Sequence, residues 1–202
     1  PKAGLLSMLA GFFAGIPIRI HIFTGQVWAT KKGFVRWLLK SMDKLLAACA
    51  THILVDSSSQ RDFLIEQGVV SPEKSRVLAN GSICGVDTDK FSPDPESRDL
   101  IRGHLAIPES DVVFLYLGRL NRDKGLIDLA RSFGRVCDKY DNIHLLIVGP
   151  DEQGMKEQME SLCSSCIQKM HFVGYTDVPE KYFAASDIFC LPSYREGFGV
   201  VV

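Results

Sequence analysis

Two stretches of the chain carry side chains suited to holding an anion beside a polar ligand. The first is Gly118-Arg119-Leu120-Asn121-Arg122-Asp123-Lys124-Gly125. Gly118 lets the backbone turn sharply. Arg119 and Lys124 bring two cations to the start of a helical pattern, where free amides already favour negative charge. The pairing suits a phosphate or diphosphate, although a solvated basic loop has the same composition. The second is Pro192-Ser193-Tyr194-Arg195-Glu196-Gly197-Phe198-Gly199. There the Glu196 carboxylate can accept hydrogen bonds from ligand hydroxyls, and the glycine amides can donate to an anion. Gly197 and Gly199 alone are a weak signal, without the third glycine of a dinucleotide fingerprint.

Strands must deliver these loops. Short apolar runs at Pro17–Phe23, Thr51–Asp56, Arg76–Ala79, Val112–Gly118, Ile143–Gly149, Met170–Val173 and Asp187–Leu191 alternate with longer helical patterns. Val112 to Leu117 and His144 to Val148 are continuously apolar apart from His144, as in parallel strands buried on both faces. Leu126, Leu129, Ala130, Phe133, Val136, Cys137 and Tyr140 recur at helical spacing. Ser57 with Gln60 forms a capping box, and Gly68 closes that helix. This alternation predicts βαβ units and an α/β class. Asn80 to Pro95 is rich in Gly, Ser, Asp and Pro and reads as a hinge between two Rossmann-like lobes. Residues 1–90 then form the end of a first lobe and residues 91–202 the start of a second. A ligand is expected in the cleft between them, and both loops above follow strand carboxyl ends, where open α/β sheets bind ligands.

Composition sets the outer bounds. Of 202 residues, 46% are hydrophobic and 23% charged, which supports a packed core and excludes wholesale disorder. A net charge of -1 argues against nucleic-acid binding through bulk charge. Pro1 and the apolar Val200-Val201-Val202 suggest an internal piece of a longer protein, truncated in both lobes. The six cysteines do not form a disulfide pattern, and Cys163-x-x-Cys166 lacks the partners of a zinc site, so a reduced cytoplasmic protein is expected. Gly4 to Ile18 is too short for a membrane span, contains Pro17 and has no clear cleavage site, so it reads as a buried helix feeding a buried strand. Gly149 and Gly154 have the glycine spacing of a P-loop without its lysine.

In order along the chain, Leu117-Gly118-Arg119-Leu120 with Lys124-Gly125, Leu146-Ile147-Val148-Gly149 and Phe172-Val173-Gly174-Tyr175 are followed by Ala185-Ser186-Asp187-Ile188 and Leu191 to Gly199. Together with Gly85-Val86-Asp87 and Phe91-Ser92-Pro93 upstream, this set resembles glycosyltransferase family 4 of the GT-B fold over most of residues 76–202. The resemblance implies transfer of a sugar from a nucleotide-diphosphate sugar to a glycan or lipid-linked acceptor, with retention, no essential metal and no cofactor. By the same resemblance, Arg119 and Lys124 would stabilise the leaving diphosphate and Glu196 would bind the donor sugar. Gly118, Gly197, Phe198 and Gly199 would line the donor site, and Val173, Gly174 and Tyr175 would meet the base. The family's second glutamate would fall eight residues after Glu196, beyond Val202.

The first lobe matches less closely. Many members carry a histidine before a glycine at a strand end; here Thr24 precedes Gly25. Thr24, Gly25 and Gln26 are therefore acceptor-side candidates, and His21 is a weaker one because alternation turns it to the same face as Phe23. The helical pattern Lys31 to Ala50 carries Lys32, Arg36, Lys40 and Lys44 beside Phe34 and Trp37. Such a helix suits peripheral contact with an anionic membrane surface, or simply water. Three rival readings stay open. Asp87-Thr88-Asp89 could hold a metal in a different glycosyltransferase fold, although two turn-forming aspartates explain it as well. The others are a nucleotide-sugar 2-epimerase and a non-catalytic nucleotide-sugar-binding protein.

Overall fold

The computed structural model describes residues 2–82 and 85–194. Two compact units divide between Gly85 and Val86, inside the turn-rich stretch. The first unit contains α1 (Lys2–Phe13), β1 (Ile20–Phe23), a 3-10 turn (Val27–Thr30), α2 (Gly33–Cys49), β2 (His52–Val55), α3 (Ser58–Glu66) and β3 (Ser75–Val77). Its strands form a parallel sheet in the order β1-β2-β3. Trp28, Leu46, Ile53 and Leu64 are fully buried at its centre. Trp28 stacks on Phe63 and donates its indole N–H to Asp43 over 2.7 Å. Burial raises the pKa of the Asp43 carboxyl, an effect that the Trp28 bond offsets in part.

The second unit contains α4 (Pro95–His104), β4 (Val112–Leu117), α5 (Leu126–Cys137), β5 (Ile143–Val148), α6 (Met155–Leu162), β6 (Met170–Gly174), α7 (Pro179–Ala184) and β7 (Ile188–Phe189). Its sheet is parallel throughout, in the order β6-β5-β4-β7. Alternation divides the side chains between two cores. Tyr116, Leu145 and Ile147 meet Leu126, Phe133, Met155 and Met159 of α5 and α6. Val113, Leu115, Leu146 and Val148 pack with Leu105, Ile107, Tyr182 and Phe183. The expected α/β class is correct, and burial on both faces accounts for the continuous apolar runs.

Arg102 ties α4 to the end of the sheet. It is buried and donates to the carbonyls of Ala185, Pro108, Glu109 and Asp111 and, over 2.8 Å, to Asp187. Asp187 also accepts the Val113 amide and an Arg98 bond. Burial alone would raise its pKa, but these bonds and charges hold it below the ordinary carboxylate value.

Three expectations need correction. The helix and strand around Gly4 to Ile18 are not buried. Leu5 and Met8 of α1 pack on the core, but Leu6, Phe12 and Phe13 are exposed, as are Ile20 and Ile22 of β1. The reason is that β1 ends the described sheet and α1 covers only its His21 side; a Cβ on Gly4 would lie 2.8 Å from the His21 ring. The capping box is half made. Ser57 accepts the Gln60 amide at 3.3 Å, but the Gln60 side chain donates to the Thr24 carbonyl and to Gln26 instead of reaching back. The Cys-x-x-Cys pair, which follows the helical run Met155 to Glu160 and would by that pattern continue it, instead leaves the α-helix: Cys163 ends α6 and Cys166 follows in a 3-10 turn. Both are buried, and burial, reinforced by Cys166, pushes the Cys163 thiol up to about 12. A protonated thiol of this kind packs rather than reacts.

His144 contacts Asp111 at 3.2 Å and His171 at 3.0 Å. Burial, and then the neighbouring His144, lowers the His171 pKa to about 4. Unfolded histidine titrates near 6.5, so the unfolded chain takes up this proton first as pH falls. Stability present above about pH 6.5 should decline towards pH 4, by on the order of 1–2 kcal/mol for this half-buried ring. Thermal unfolding followed between pH 7 and 4 should show the loss, and His171→Gln should flatten it.

Candidate functional site

All four strands of the second sheet run the same way, so the loops after β4, β5, β6 and β7 meet at one edge. Gly118 leaves β4 at φ +155, and its amide continues the ladder to Val148 over 2.9 Å. Gly149 leaves β5 at φ +141, where a Cβ would stand 2.0 Å from the Gly118 carbonyl oxygen. Only glycine fits there. Further along the two loops, Leu120 donates to Pro150 and Glu152 donates back to Leu120.

The loop after β7 is fixed in a similar way. Gly125 has φ +70, and a Cβ there would lie 2.0 Å from the Pro192 carbonyl oxygen. The Tyr194 amide donates to the Asp123 carbonyl over 2.9 Å, and its hydroxyl bonds Asp128 in the first turn of α5. This contact raises the Tyr194 pKa. The chain that leads into Glu196 is therefore attached to the loop that carries Arg119 and Lys124.

Helix termini divide the electrostatic roles. Asp151 accepts amides from Gln153, Met155 and Lys156, so the start of α6 is already occupied by a carboxylate. Its pKa is lowered: burial would raise it, but these amide bonds outweigh burial. The start of α5 has Gly125 at its cap, which supplies no side-chain oxygen, and the Asp128 carboxylate in its first turn. Arg119 is largely exposed and pairs with Glu152 at 3.3 Å, while Asn121 donates to the other Glu152 oxygen at 3.2 Å. Neither Glu152 nor Asn121 was singled out from sequence, because their convergence depends on β4 and β5 being neighbours.

The other candidates are distributed as follows. Val173 packs in the second unit's core, Gly174 ends β6 at φ +82, and Tyr175 is exposed just beyond it. Thr24, Gly25 and Gln26 follow β1 in the first unit; Gln26 is buried against Gln60, and Thr24 is exposed. His21 packs edge-on to Phe23 under α1, and burial lowers its pKa. Glu196, Gly197, Phe198 and Gly199 lie outside the described residues. Asp87 uses Oδ1 to accept the amides of Asp89 and Lys90, each at 3.1 Å, and so forms a turn. Among the described residues no three His, Cys, Asp or Glu side chains converge to hold a metal.

The family model for glycosyl transferases group 1 matches residues 97–202, just over half of the chain. The chain belongs to this glycosyltransferase family. It is 31% identical over 202 residues to the capsular polysaccharide biosynthesis glycosyltransferase CapM of Staphylococcus aureus, covering 100% of this chain and 53% of that protein. It is 24% identical over 205 residues to an Escherichia coli UDP-Gal:alpha-D-GlcNAc-diphosphoundecaprenol alpha-1,3-galactosyltransferase, covering 100% of this chain and 52% of that protein. The chain thus spans about half the length of these curated relatives. Its fold is similar to that of Anabaena Alr3699/HepE, solved in complex with UDP, with a TM-score of 0.75 at 19% identity over 99% of this chain and 53% of that one.

The group 1 loops depend on their glycines. Gly149→Ala should cost about 2–3 kcal/mol or more, because positive φ and a backbone clash combine. Urea denaturation should show a lower midpoint, and Gly118→Ala, whose added Cβ would come no nearer than 3.1 Å to a described atom, the Tyr116 hydroxyl, should cost less.

Proposed function

We propose that the chain supplies the first part of the donor site, and part of the acceptor lobe, of a retaining, metal-independent glycosyltransferase of family 4. The donor would be a nucleotide-diphosphate sugar and the acceptor a glycan or lipid-linked glycan, within cell-envelope polysaccharide synthesis. One observation carries this reading: Arg119 and Lys124 lie on a loop held at the carboxyl edge of a parallel sheet, beside the start of α5, whose cap residue is a glycine.

That arrangement suits loss of a diphosphate. Negative charge grows on the leaving oxygens as the sugar–oxygen bond breaks, and cations already in place stabilise that charge most in the transition state. Arg119 can offer two parallel N–H groups to phosphate oxygens, whereas Lys124 acts as a point charge. By family resemblance Glu196 accepts hydrogen bonds from the sugar hydroxyls. The backbone around Val173 to Tyr175 approaches the base, and Thr24 to Gln26 lie on the acceptor side. Asp87 being used within its own turn favours this reading over a metal-bearing Asp-x-Asp site.

The names of the two curated relatives, one acting in capsule synthesis and one on an undecaprenol diphosphate, support an acceptor of this class. A cytoplasmic location with peripheral membrane contact fits such an acceptor. Among the described residues no helix is long and apolar enough to cross a membrane.

Calorimetric titration with UDP and GDP in EDTA tests the donor site. Binding should survive EDTA, and Arg119→Ala or Lys124→Ala should weaken it sharply. In transfer assays each loss should cost about 3–4 kcal/mol in kcat/KM. Binding that needs manganese and disappears in Asp89→Asn would overturn the reading.

A further inference from the structure

The loops after β4 and β5 are joined by their backbones alone. The Leu120 amide donates to Pro150, the Glu152 amide donates to Leu120 over 3.1 Å, and Leu120 bridges Asp151 as parallel strands do. The Arg122 amide adds a bond to the Gln153 side chain at 3.1 Å. These contacts already fix the loop that carries Arg119. The Glu152 carboxylate is not needed for that.

Its two oxygens nevertheless face polar groups of the same loop. Oε1 accepts from the Arg119 guanidinium at 3.3 Å, and Oε2 accepts from Asn121 at 3.2 Å. The Arg119 and Glu152 side chains are 65% and 39% exposed, so water screens the pair and it adds little to stability. A guanidinium has five N–H groups, so Arg119 can meet phosphate oxygens with others while Glu152 stays in place. A diphosphate on Arg119 would then lie about 6–8 Å from a carboxylate, two hydrogen-bonded contacts away. A site suited to an anion thus carries a negative charge of its own.

We propose that Glu152, acting through Arg119, weakens the hold on the product nucleoside diphosphate more than the hold on the donor, and so favours product release. The inference rests on the donor reading above. Transfer breaks the bond between the sugar carbon and the terminal phosphate oxygen, which keeps the electron pair. The acceptor hydroxyl bonds to that carbon, and its proton passes to the phosphate or to solvent. Above about pH 6 the freed terminal phosphate carries a second charge, so the product has about one negative charge more than the donor. Arg119 and Lys124 attract that charge; a carboxylate fixed beside them opposes it. At such separations, near the water end of the dielectric range, one carboxylate alters affinity about threefold to tenfold for each added charge.

Calorimetric titration at pH 7.5 tests this with UDP and with its terminal methyl ester, which has the donor's charge without its sugar. GDP and its methyl ester form the second pair. Glu152→Gln should tighten the diphosphate about threefold or more beyond any gain for the ester. In 0.5 M salt the difference between variant and wild type should shrink. Glu152→Asp, which keeps the charge, should bind like wild type. Glu157→Gln makes the same charge change in the first turn of α6 and should leave both affinities unchanged. Glutamine preserves an acceptor for Arg119 at an exposed position, so the fold should persist, and circular dichroism checks it in each variant.

Unchanged or weaker diphosphate binding in Glu152→Gln would overturn the proposal. So would equal tightening of diphosphate and ester, or the same effect from Glu157→Gln, which would reduce it to net charge. The two readings separate in the same titrations. A wild-type chain that binds neither UDP nor GDP sinks the donor site, whereas nucleotide binding indifferent to Glu152→Gln sinks the role of Glu152 alone.

Discussion

At the carboxyl edge of the second sheet, the loop backbones approach closely enough that no Cβ fits between them. The Gly118 carbonyl occupies the place of a Gly149 side chain, and the Pro192 carbonyl occupies the place of one on Gly125. Both glycines have positive φ, so the turn geometry and the contact impose the same residue. Everything proposed for this edge depends on that approach. It brings the Arg119 loop against Glu152 and the chain leading to Glu196 against the start of α5. A mobile loop would have to be ordered at the moment of reaction; a loop held by the next loop's backbone is positioned beforehand.

The rest of the second unit supports this edge. Parallel strands place all carboxyl ends together, and helices on both faces keep the sheet dry. Arg102 closes the opposite end by binding four carbonyls and Asp187. A buried guanidinium is costly without partners, and here its donors meet fixed acceptors. The first unit is organised differently. Its sheet has three described strands, and much of α1, β1 and the outer side of α2 remains apolar and exposed. Hydrophobic surface of this kind is where a protein meets something other than water.

Much of this was legible in the residues because strands and helices have short-range signals. Continuous apolar runs located β4 and β5, helical spacing located α5, and glycines marked where the strands end. The loop of Arg119 and Lys124 was readable for the same reason, since it follows a strong strand directly. Burial of the Gly4 to Ile18 segment was misread because an apolar run shows only that burial would be favourable, not that a covering element exists. The role of Gln60 is half legible: the bond from its amide to the Ser57 hydroxyl is local, but its side chain donates to Thr24 and Gln26, more than thirty residues away.

By itself, the sequence determined the element order, the α/β class and the position of the cationic loop after β4, because each depends on neighbours within a few residues. Tertiary structure decided which loops meet, which helix start is taken up by a carboxylate and which cations are already engaged. Asp151 caps α6, Glu152 faces Arg119, and Gln67 takes up Arg36 and Lys40. Those outcomes depend on strand order and helix packing, which bring together residues that the chain separates, and no local pattern encodes them.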